Sequence, residues 1–396
     1  MKAVILCAGE GLRLRPFTYS EPKVMIPVGN KPIVQYVVEA LARNGMREIV
    51  MVVGYKKERI MSYFEDGKDF GVDIEYTVQK KQLGTAHALT SARELLRDDF
   101  VILPGDNIID SKAVSDLMAQ KKANSVLITE SAQPSKYGVV VLSEGIIKQI
   151  VEKPEQNISN LISTGIYHLS PGIFKYIDSN VKDGKYTMTA ALQQMALDEN
   201  VHGVFTSGVW SDAIFPWDLL DLNTVALNQA HEKVSGTVEK DVFIKGTVNI
   251  GADTVIRSGT YIVGPVSIGS GCDIGPNVCI NPSTSIGDNV AVEPFSLIGN
   301  SILMSDCALG PHSHVTHSVI GSGVRASSHF TTNVGEAVIE IEGELHKVPK
   351  IGVLIGEDSV LDSTVTALPG AVVGAKSRIS ALKVIRGVIP NESIVV

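Results

Sequence analysis

The second half of the chain carries an apolar residue at every sixth position. The first run is uninterrupted and comprises Ile244, Ile250, Ile256, Ile262, Ile268, Ile274, Ile280, Ile286, Val292 and Ile298. The spacing continues after a one-residue slip, and again beyond an insertion, in Leu303, Leu309, Val315, Ile355, Leu361, Ala367, Val373, Ile379 and Ile385. Neither the 3.6-residue period of a helix nor the two-residue period of a strand produces this pattern. It predicts a parallel β-helix of hexapeptide repeats, with three hexads in each of about six coils.

An insertion interrupts this repeat. Residues 329–350, HFTTNVGEAVIEIEGELHKVPK, break the regular series of hexads. Insertions in repeat proteins leave the stack as loops, often on the face that binds ligands. We therefore expect these residues to form a loop outside the β-helix.

The first 220 residues alternate between strand-like and helix-like segments. The predicted strands are KAVIL, EIVMVV (48–53) and FVIL (100–103), and the predicted helices are PIVQYVVEALARNG and residues 85–97. Such alternation indicates an α/β domain with a mostly parallel sheet, which binds ligands at the carboxyl ends of its strands. We expect this domain over residues 1–225, a helical linker over 226–240 and the β-helix over 241–396.

Composition excludes several classes of protein. The net charge of −8 argues against nucleic-acid binding, and no apolar run approaches the roughly 18 residues of a membrane helix. The opening MKAVILCAG is interpreted as a strand because its apolar part is too short for a signal peptide. The four cysteines form no CxxC pair, so neither a zinc site nor a disulfide framework is expected. They are typical of a cytoplasmic protein with buried thiols.

Positive charge is nevertheless concentrated after the first strand, in LCAGEGLRLRPFTYSEPK (6–23). This loop is not a Walker A motif, and Leu14 replaces the third glycine of GxGxxG. Gly9 and Gly11 would still let backbone N–H groups approach a phosphate, with Arg13 beside them. The alternative is an ordinary strand and turn with surface arginines.

Two further residues favour a site for anions. Lys23 lies between Pro22 and Pro27, which stiffen the chain around it, so it is suited to a phosphate; the alternative is a solvent-facing lysine. Asp106 follows the strand FVIL in LPGDN and is a natural Mg²⁺ ligand, because Mg²⁺ takes one or two carboxylates and completes its shell with phosphate oxygens. The alternative for Asp106 is an aspartate that caps a turn.

These motifs occur together in one family. LCAGEGLRLRP, EPKVMIPVGNKPI, VQKKQLGTAHA (78–88), LPGDN, VEKP (151–154) and STGIY (163–167), followed by a hexapeptide β-helix, resemble the sugar-1-phosphate nucleotidylyltransferases. The likeness is greatest to the archaeal branch, which is related to the bifunctional N-acetylglucosamine-1-phosphate uridylyltransferases. It implies a Rossmann-like nucleotidyltransferase domain followed by a left-handed β-helix, in a homo-oligomer with three-fold symmetry.

The resemblance also assigns roles to residues. Those implied to bind the nucleotide are Leu6, Ala8, Gly9, Gly11, Gln79, Gly84 and Thr85, and those implied to face the sugar phosphate are Gly138, Glu152, Lys153 and Thr164. Arg13 and Lys23 would hold the reacting phosphates. Asp106 and Asp212 would bind Mg²⁺, with Asp218 as the alternative to Asp212. Two departures from the family pattern are Leu12, where threonine is usual, and Ile214, where glycine is usual.

The implied reaction is Mg²⁺-dependent transfer of a nucleotidyl group, most simply from UTP or dTTP, to glucose-1-phosphate or N-acetylglucosamine-1-phosphate. A second hypothesis adds transfer of acetyl from acetyl-CoA to glucosamine-1-phosphate in the β-helix. The residues for it would be His312, His314, Asn333 and Lys350, although Pro311 stands at the position of the family's histidine. A zinc cluster in HSHVTH (312–317) and a group of surface histidines are alternatives. A third hypothesis is a non-catalytic scaffold, against which Arg13, Lys23 and Asp106 argue.

Overall fold

The computed structural model describes residues 1–120, 122–156 and 158–396. The chain divides into two compact units. The first comprises Met1–Glu10 and Ile33–Ser211, and the second comprises Gly11–Pro32 and Asp212–Val396. This division differs from the expected domain limits, since residues 11–32 and 212–225 group with the second unit.

The first unit is built on a nine-stranded mixed sheet. The order of strands across it is Asp73–Val78, Glu48–Val53, Ala3–Cys7, Phe100–Pro104, Leu161–Leu169, Ser125–Glu130, His202–Phe205, Ile146–Glu152 and Gly138–Ser143. The first four strands of this order are parallel, as the alternation of strands and helices predicted. The fifth runs antiparallel to its neighbours on both sides. Near-continuous apolar sequence in the central strands matches their burial on both faces.

Helices of the first unit pack on this sheet. They are Ile33–Arg43, Lys57–Phe64, Thr85–Thr90, Ser111–Ala119, Ile173–Lys182 and Met188–Asp198. The helix expected over residues 85–97 ends at Thr90 and is followed by a 3₁₀ turn at Arg93–Leu95. The hydroxyl of Thr90 donates to the carbonyl of His87 at 2.7 Å, and such local bonds compete with the helical ladder.

The second unit contains the predicted β-helix, in which three parallel sheets form the sides of each coil. The strands of the first sheet are Lys233–Val234, Val248–Ile250, Val266–Ile268, Thr284–Ile286, Ile302–Leu303, Val319–Ile320, Val353–Ile355, Ala371–Val373 and Val388–Ile389. Those of the second are Thr237–Val238, Val255–Ile256, Asp273–Ile274, Ala291–Val292, Ala308–Leu309, Arg325–Ala326, Val360–Leu361, Arg378–Ile379 and Ile394–Val395. Those of the third are Phe243–Lys245, Tyr261–Val263, Cys279–Ile280, Leu297–Gly299, His314–Thr316, Thr331–Thr332, Thr366–Ala367 and Val384–Ile385.

Register within these sheets explains the period of six. Ile250 pairs with Ile268, and Ile268 with Ile286, so that residues three hexads apart stack in one buried column. The one-residue slip is also present, since Ile286 pairs with Leu303. These features confirm the predicted fold class, a Rossmann-like α/β unit with a left-handed parallel β-helix.

The estimate of six coils was too low, because two of the sheets have nine strands. Ala326 and Thr332 occupy buried positions of the repeat although they are not large apolar residues. The β-helix also begins earlier than expected. The segment 226–240, predicted to be a helical linker, holds only the end of the helix Asp218–Asn228 and then two strands, Lys233–Val234 and Thr237–Val238. Their β-branched residues suit the coil that they join.

The insertion is an ordered hairpin rather than an irregular loop. Its antiparallel strands are Gly335–Ile341 and Glu344–Ile351, and we call residues 335–351 the inserted hairpin. Its side chains alternate between exposed and buried positions, with Ile339 and Val348 buried. This alternation is the sequence signal for strands that the search for hexads overlooked.

Within the part of the chain that the structure describes, no helix is long and apolar enough to cross a membrane. The cysteines are all free; Cys7, Cys272 and Cys307 are buried, and Cys279 is half-buried.

Candidate active site

The glycine loop begins where the first strand of the sheet ends. The backbone N–H of Gly105 donates to the carbonyl of Leu6 at 3.0 Å, and that of Tyr55 donates to the carbonyl of Ala8 at 3.2 Å. These bonds fix the start of the loop from both sides. Gly9 is different, because a Cβ atom built there would meet nothing within 4 Å. The backbone at Gly9 therefore borders open space that a ligand can enter.

Gly11 requires glycine for both conformation and space. Its φ is +73°, in the left-handed region, and a Cβ atom there would lie 2.6 Å from Cβ of Lys23. Lys23 itself begins a short 3₁₀ turn, Lys23–Met25, directly after Pro22. The close contact with Gly11 brings the base of the Lys23 side chain against the loop, as expected for a lysine that serves the same ligand.

Arg13 lies in the 3₁₀ turn Leu12–Leu14. Its Nε donates to Oε2 of Glu342 at 2.9 Å, and the two side chains are 48% and 47% exposed. A negatively charged group thus contacts Arg13, as the sequence suggested, but it is a carboxylate of the inserted hairpin.

Asp106 lies in the turn after the strand Phe100–Pro104. Burial, and next the negative charge of Asp106, raise the pKa of the Cys7 thiol far above its usual range. The neighbouring side chain of Asn107 is only 4% exposed, and its Oδ1 has no hydrogen-bond partner among the described residues. A carboxylate and an orphaned amide oxygen are the donor types that Mg²⁺ takes in proteins, so these residues fit a magnesium ion.

Two aspartates are candidates for the second metal position, and their surroundings differ. Asp218 Oδ2 accepts hydrogen bonds from the backbone N–H groups of Ile214 and Phe215, at 2.9 and 2.8 Å. It therefore stabilises the turn that leads into the helix Asp218–Asn228. Asp212 ends the strand Trp210–Asp212 and is half-buried. The Asp218 carboxylate thus has a structural role in this turn.

Gln79 is fixed at the end of an edge strand. It is 5% exposed, and its Nε2 lies 3.2 Å from the carbonyl of Gly84 and 3.0 Å from Nδ1 of His87. With both amide hydrogens used in this way, Oε1 is the atom of Gln79 that can accept from a base. Thr85 is also engaged, since its Oγ1 accepts from the N–H of Met188 at 3.0 Å.

Three residues of the expected sugar site lie together. Gly138 and Glu152 are opposite each other in neighbouring strands. Oε2 of Glu152 accepts a 2.6 Å hydrogen bond from Thr189, and a Cβ atom at Gly138 would lie 3.3 Å from the same hydroxyl. Lys153 follows with a left-handed φ of 43°, and its side chain is exposed.

Thr164 is placed differently from the expectation that it faces the sugar phosphate. It is 2% exposed, and its hydroxyl donates to the carbonyl of Leu127 at 2.8 Å. Its own carbonyl accepts from Nε1 of Trp210 at 3.1 Å. The side chain thus belongs to the interior of the sheet. The bulge between Ser163 and Tyr167 makes this inward bond possible, since the ladder is irregular there.

Three contacting residues were missed from the sequence. Thr189 holds Glu152, His87 holds Gln79, and Trp210 holds the backbone of Thr164. Trp210 stands in the run that contains Asp212, which was a usable signal. Thr189 offered none, because its contact with Glu152 spans 37 positions of the chain.

The candidate residues of the β-helix have different surroundings. His312 lies at a corner with φ 59°, where its ring stacks between Phe295 at 5.3 Å and His329 at 5.0 Å. His314 is exposed on the strand His314–Thr316. No group of three histidine, cysteine, aspartate or glutamate residues suited to a metal occurs in the ranges described, which include residues 312–317.

A different histidine lies near Lys350. Burial, and next the positive charge of Lys350, lower the pKa of His317. Nδ1 of His317 is buried, and no described residue bonds to it. Asn333, the other candidate, is exposed and follows the strand Thr331–Thr332. His317 stands at a corner with φ 49° and was not among the candidates that the sequence indicated.

Comparison with known proteins identifies the family of this chain. Residues 2–228 match the family model for nucleotidyl transferases, and residues 262–339 match the model for the GMPPB C-terminal domain. The chain therefore belongs to the nucleotidyl transferase family.

Relatives of similar length share both halves. The chain is 38% identical over 392 residues to the bifunctional protein GlmU of Methanococcus maripaludis, covering 96% of this chain and 93% of that protein. It is 34% identical to a bifunctional sugar-1-phosphate nucleotidylyltransferase/acetyltransferase of Sulfurisphaera tokodaii, with 96% of each chain covered. Among solved structures, a protein of Bacillus anthracis assigned as a glucose-1-phosphate thymidylyltransferase matches 59% of this chain and 98% of its own, with 28% identity and a TM-score of 0.54.

Proposed function

We propose that this protein transfers a nucleotidyl group from a nucleoside triphosphate to a sugar-1-phosphate, giving a nucleoside diphosphate sugar and pyrophosphate. One observation carries the proposal. Leu6 pairs with Pro104 in adjacent parallel strands, so the glycine loop and Asp106 leave the sheet at the same end. That end is where α/β sheets bind ligands, and it combines open backbone at Gly9 with a candidate metal carboxylate.

The chemistry needs little from a general base. An oxygen of the sugar-1-phosphate, already an anion, attacks the α-phosphorus of the triphosphate. A new P–O bond forms as the bond from the α-phosphorus to the bridging oxygen breaks, and pyrophosphate leaves with that electron pair. The protein must hold two polyanions together and neutralise the charge that develops. Arg13 and Lys23 would bind the reacting phosphates.

Asp106 and Asp212 would hold Mg²⁺, and the buried oxygen of Asn107 supports that position. When bound, Mg²⁺ supplies charge neutralisation at the phosphate oxygens. Asp218 is the less suitable ligand because its carboxylate already accepts two backbone N–H groups.

The surroundings of Gln79 and Glu152 support a particular triphosphate and a particular sugar-1-phosphate as substrates. Oε1 of Gln79 would accept from the N3–H of a uracil or thymine base, with Leu6, Ala8, Gly9, Gly11, Gly84 and Thr85 around the nucleotide. This favours UTP or dTTP. Glu152, with Gly138 and Lys153 beside it, would bind glucose-1-phosphate or N-acetylglucosamine-1-phosphate. Thr164 would contribute through its backbone, since its hydroxyl is bonded to Leu127.

A substrate grid tests the proposal. UTP, dTTP and GTP would each be paired with glucose-, N-acetylglucosamine-, glucosamine- and mannose-1-phosphate, and pyrophosphate release would be followed with and without Mg²⁺. We expect release with UTP or dTTP and one or two sugars, and none from Asp106→Ala. If the folded wild-type protein released pyrophosphate with none of these substrate pairs, the result would contradict the proposal and favour a scaffold.

Acetyl transfer is a second candidate function, because His317 lies near Lys350 and the relative from Sulfurisphaera tokodaii carries that activity in its name. The substrates would be acetyl-CoA and glucosamine-1-phosphate. Release of free CoA by the wild-type protein but not by His317→Ala would support it. CoA release that is unchanged in His317→Ala, or none at all, would contradict it.

The remaining expectations belong to the same proposal. The protein would be a cytoplasmic trimer with a nucleotidyltransferase domain over about residues 1–225. Light scattering behind a sizing column would give three chains per particle, and a monomer would contradict the trimer.

A further inference from the structure

The inserted hairpin is held firmly at its base. Ile339 and Val348 are 2% and 3% exposed, so one face of the hairpin packs into the second unit. Gly370 accommodates it, since a Cβ atom there would lie 2.4 Å from Cβ of Ala337. Two buried apolar side chains and a close backbone approach fix the direction in which the hairpin extends.

One strand of the hairpin contacts the segment that follows Asp212. The ring of His346 lies 4.3 Å from that of Phe215 and 5.9 Å from that of Trp217. Phe215 and Trp217 stack on each other at 4.9 Å. The hairpin therefore packs on the chain between the two candidate metal aspartates, Asp212 and Asp218.

The turn of the hairpin contacts the proposed phosphate-binding arginine. Glu342 stands at this turn with a left-handed φ of 52°, and its Oε2 accepts from Nε of Arg13 at 2.9 Å. These residues are 329 positions apart in the chain. Donor and acceptor of this bond are both charged, which strengthens it, so we expect Arg13 to make this contact when no ligand is bound.

The backbone that carries Arg13 is also anchored within the second unit. Ser20 is hydrogen-bonded to Glu357, and the hydroxyl of Tyr19 donates to Glu392 at 3.4 Å. Further along, Nδ2 of Asn30 donates to the carbonyl of Ile286 at 2.7 Å. Both ends of the Arg13–Glu342 pair thus have fixed backbones. A change of partner by Arg13 therefore involves its side chain rather than the whole segment.

We propose that Glu342 is a carboxylate that holds Arg13 in the absence of nucleotide and competes with the triphosphate for it. The inference rests on the proposed function. A triphosphate that engages Arg13 must displace the carboxylate of Glu342, so the ligand and Glu342 compete for the same guanidinium group. The inserted hairpin would then weaken nucleotide binding through this contact.

The size of the effect follows from the exposure of the pair. Half-exposed ion pairs are weak, so releasing Arg13 in Glu342→Gln should tighten triphosphate binding by about two- to fivefold. Glu340→Gln is the matched control, because Glu340 is an exposed residue of the same hairpin and loses the same charge. A long-range charge effect would appear in both variants, whereas loss of the contact with Arg13 appears only in Glu342→Gln.

Calorimetric titration with Mg-UTP and Mg-dTTP tests the proposal on the full chain. A double-mutant cycle makes the test specific, since Glu342→Gln should leave Kd unchanged when Arg13 is replaced by alanine. The advantage of Glu342→Gln over wild type should also shrink between about 0.05 M and about 0.5 M salt, because both groups are exposed.

Two results would overturn the proposal. One is a Kd for Glu342→Gln that equals or exceeds the wild-type value, which would make Glu342 neutral or a support for Arg13. The other is an equal gain in Glu340→Gln or in the Arg13→Ala background. Failure of the proposed function is distinguishable, because wild type would then bind neither triphosphate and release no pyrophosphate.

Discussion

The hydroxyl of Thr189 donates a 2.6 Å hydrogen bond to Oε2 of Glu152, joining the start of the helix Met188–Asp198 to the end of the strand Ile146–Glu152. Gly138 lies beside both residues and leaves space for the bond. Thr189 is 7% exposed, whereas Glu152 is exposed. The threonine is therefore a fixed support that sets the rotamer of a carboxylate proposed to bind the sugar.

Thr189→Val should weaken binding of the sugar-1-phosphate, because it removes the donor and keeps the shape. We expect KM for the sugar-1-phosphate to rise about three- to tenfold, the range for one hydrogen bond of ordinary net strength, because Glu152 is exposed to water. Steady-state kinetics would check this, with KM for the triphosphate unchanged. Thr224→Val, which loses only a bond to the carbonyl of Leu220, is the control. An unchanged KM for the sugar-1-phosphate would refute the role of Thr189.

Asn223 joins three parts of the second unit. Its Oδ1 accepts from the N–H of Gly29 and from Ser285, both at 2.8 Å, and its Nδ2 donates to the carbonyl of Ser283 at 3.0 Å. The side chain of Asn223 is fully buried, so water cannot replace it as the hydrogen-bond partner of these groups.

Asn223→Ala should destabilise the second unit by about 2 kcal/mol, because buried polar groups lose their partners. Hydrogen exchange is the sharper measurement, since the amide of Gly29 loses its acceptor and should exchange faster. Asn228→Ala, at the exposed end of the same helix, is the control. Equal protection of Gly29 in Asn223→Ala and wild type would show that the contact contributes nothing.

His168 predicts a loss of stability in acid. It is 5% exposed, and burial lowers its pKa despite the opposing charge of Asp99. The unfolded chain, with a histidine pKa of about 6.5, binds a proton that the folded chain resists, so stability falls as pH drops below that value. Nδ1 of His168 has no hydrogen-bond partner in the described part of the chain, so no acceptor there stabilises the protonated ring through this atom.

His168→Gln should reduce this acid sensitivity, because glutamine cannot be protonated. Thermal unfolding at about pH 8 and about pH 5.5 would measure it, as a smaller difference in Tm between the two conditions than in wild type. His202→Gln is the control, since His202 is half-buried in the same sheet, with one strand between it and His168. A Tm difference as large in His168→Gln as in wild type would contradict the prediction.

The sequence predicted the fold best where the same packing rule recurs along the chain. A column such as Ile250, Ile268 and Ile286 is set by a local rule that recurs in every coil, so a period of six predicted the fold. The start of the β-helix was harder to predict, because Val234 pairs with Ile250 over 16 positions rather than 18, although Val238 pairs with Ile256 over 18. The inserted hairpin was missed because its strands follow a period of two within a chain dominated by six.

For the candidate site, the motifs indicated residues but not the contacts that hold them. Motifs indicated Arg13, Glu152 and Asp106, since the chemistry of phosphate and metal limits the residue types. Their partners were not predictable, because the pairs Arg13–Glu342 and Glu152–Thr189 depend on packing between distant segments. His317 shows the same limit, since a corner of the β-helix decides which histidine lies near Lys350.

Product analysis tests the central claim most directly. The folded wild-type protein would be incubated with Mg²⁺, UTP or dTTP, and glucose- or N-acetylglucosamine-1-phosphate, and the products separated and weighed by mass spectrometry. The account predicts a nucleoside diphosphate sugar and pyrophosphate in equal amounts, with Lys23→Ala and Asp106→Asn slowed by at least about a hundredfold. Nucleotide hydrolysis without the sugar nucleotide, or full activity in Asp106→Asn, would contradict it.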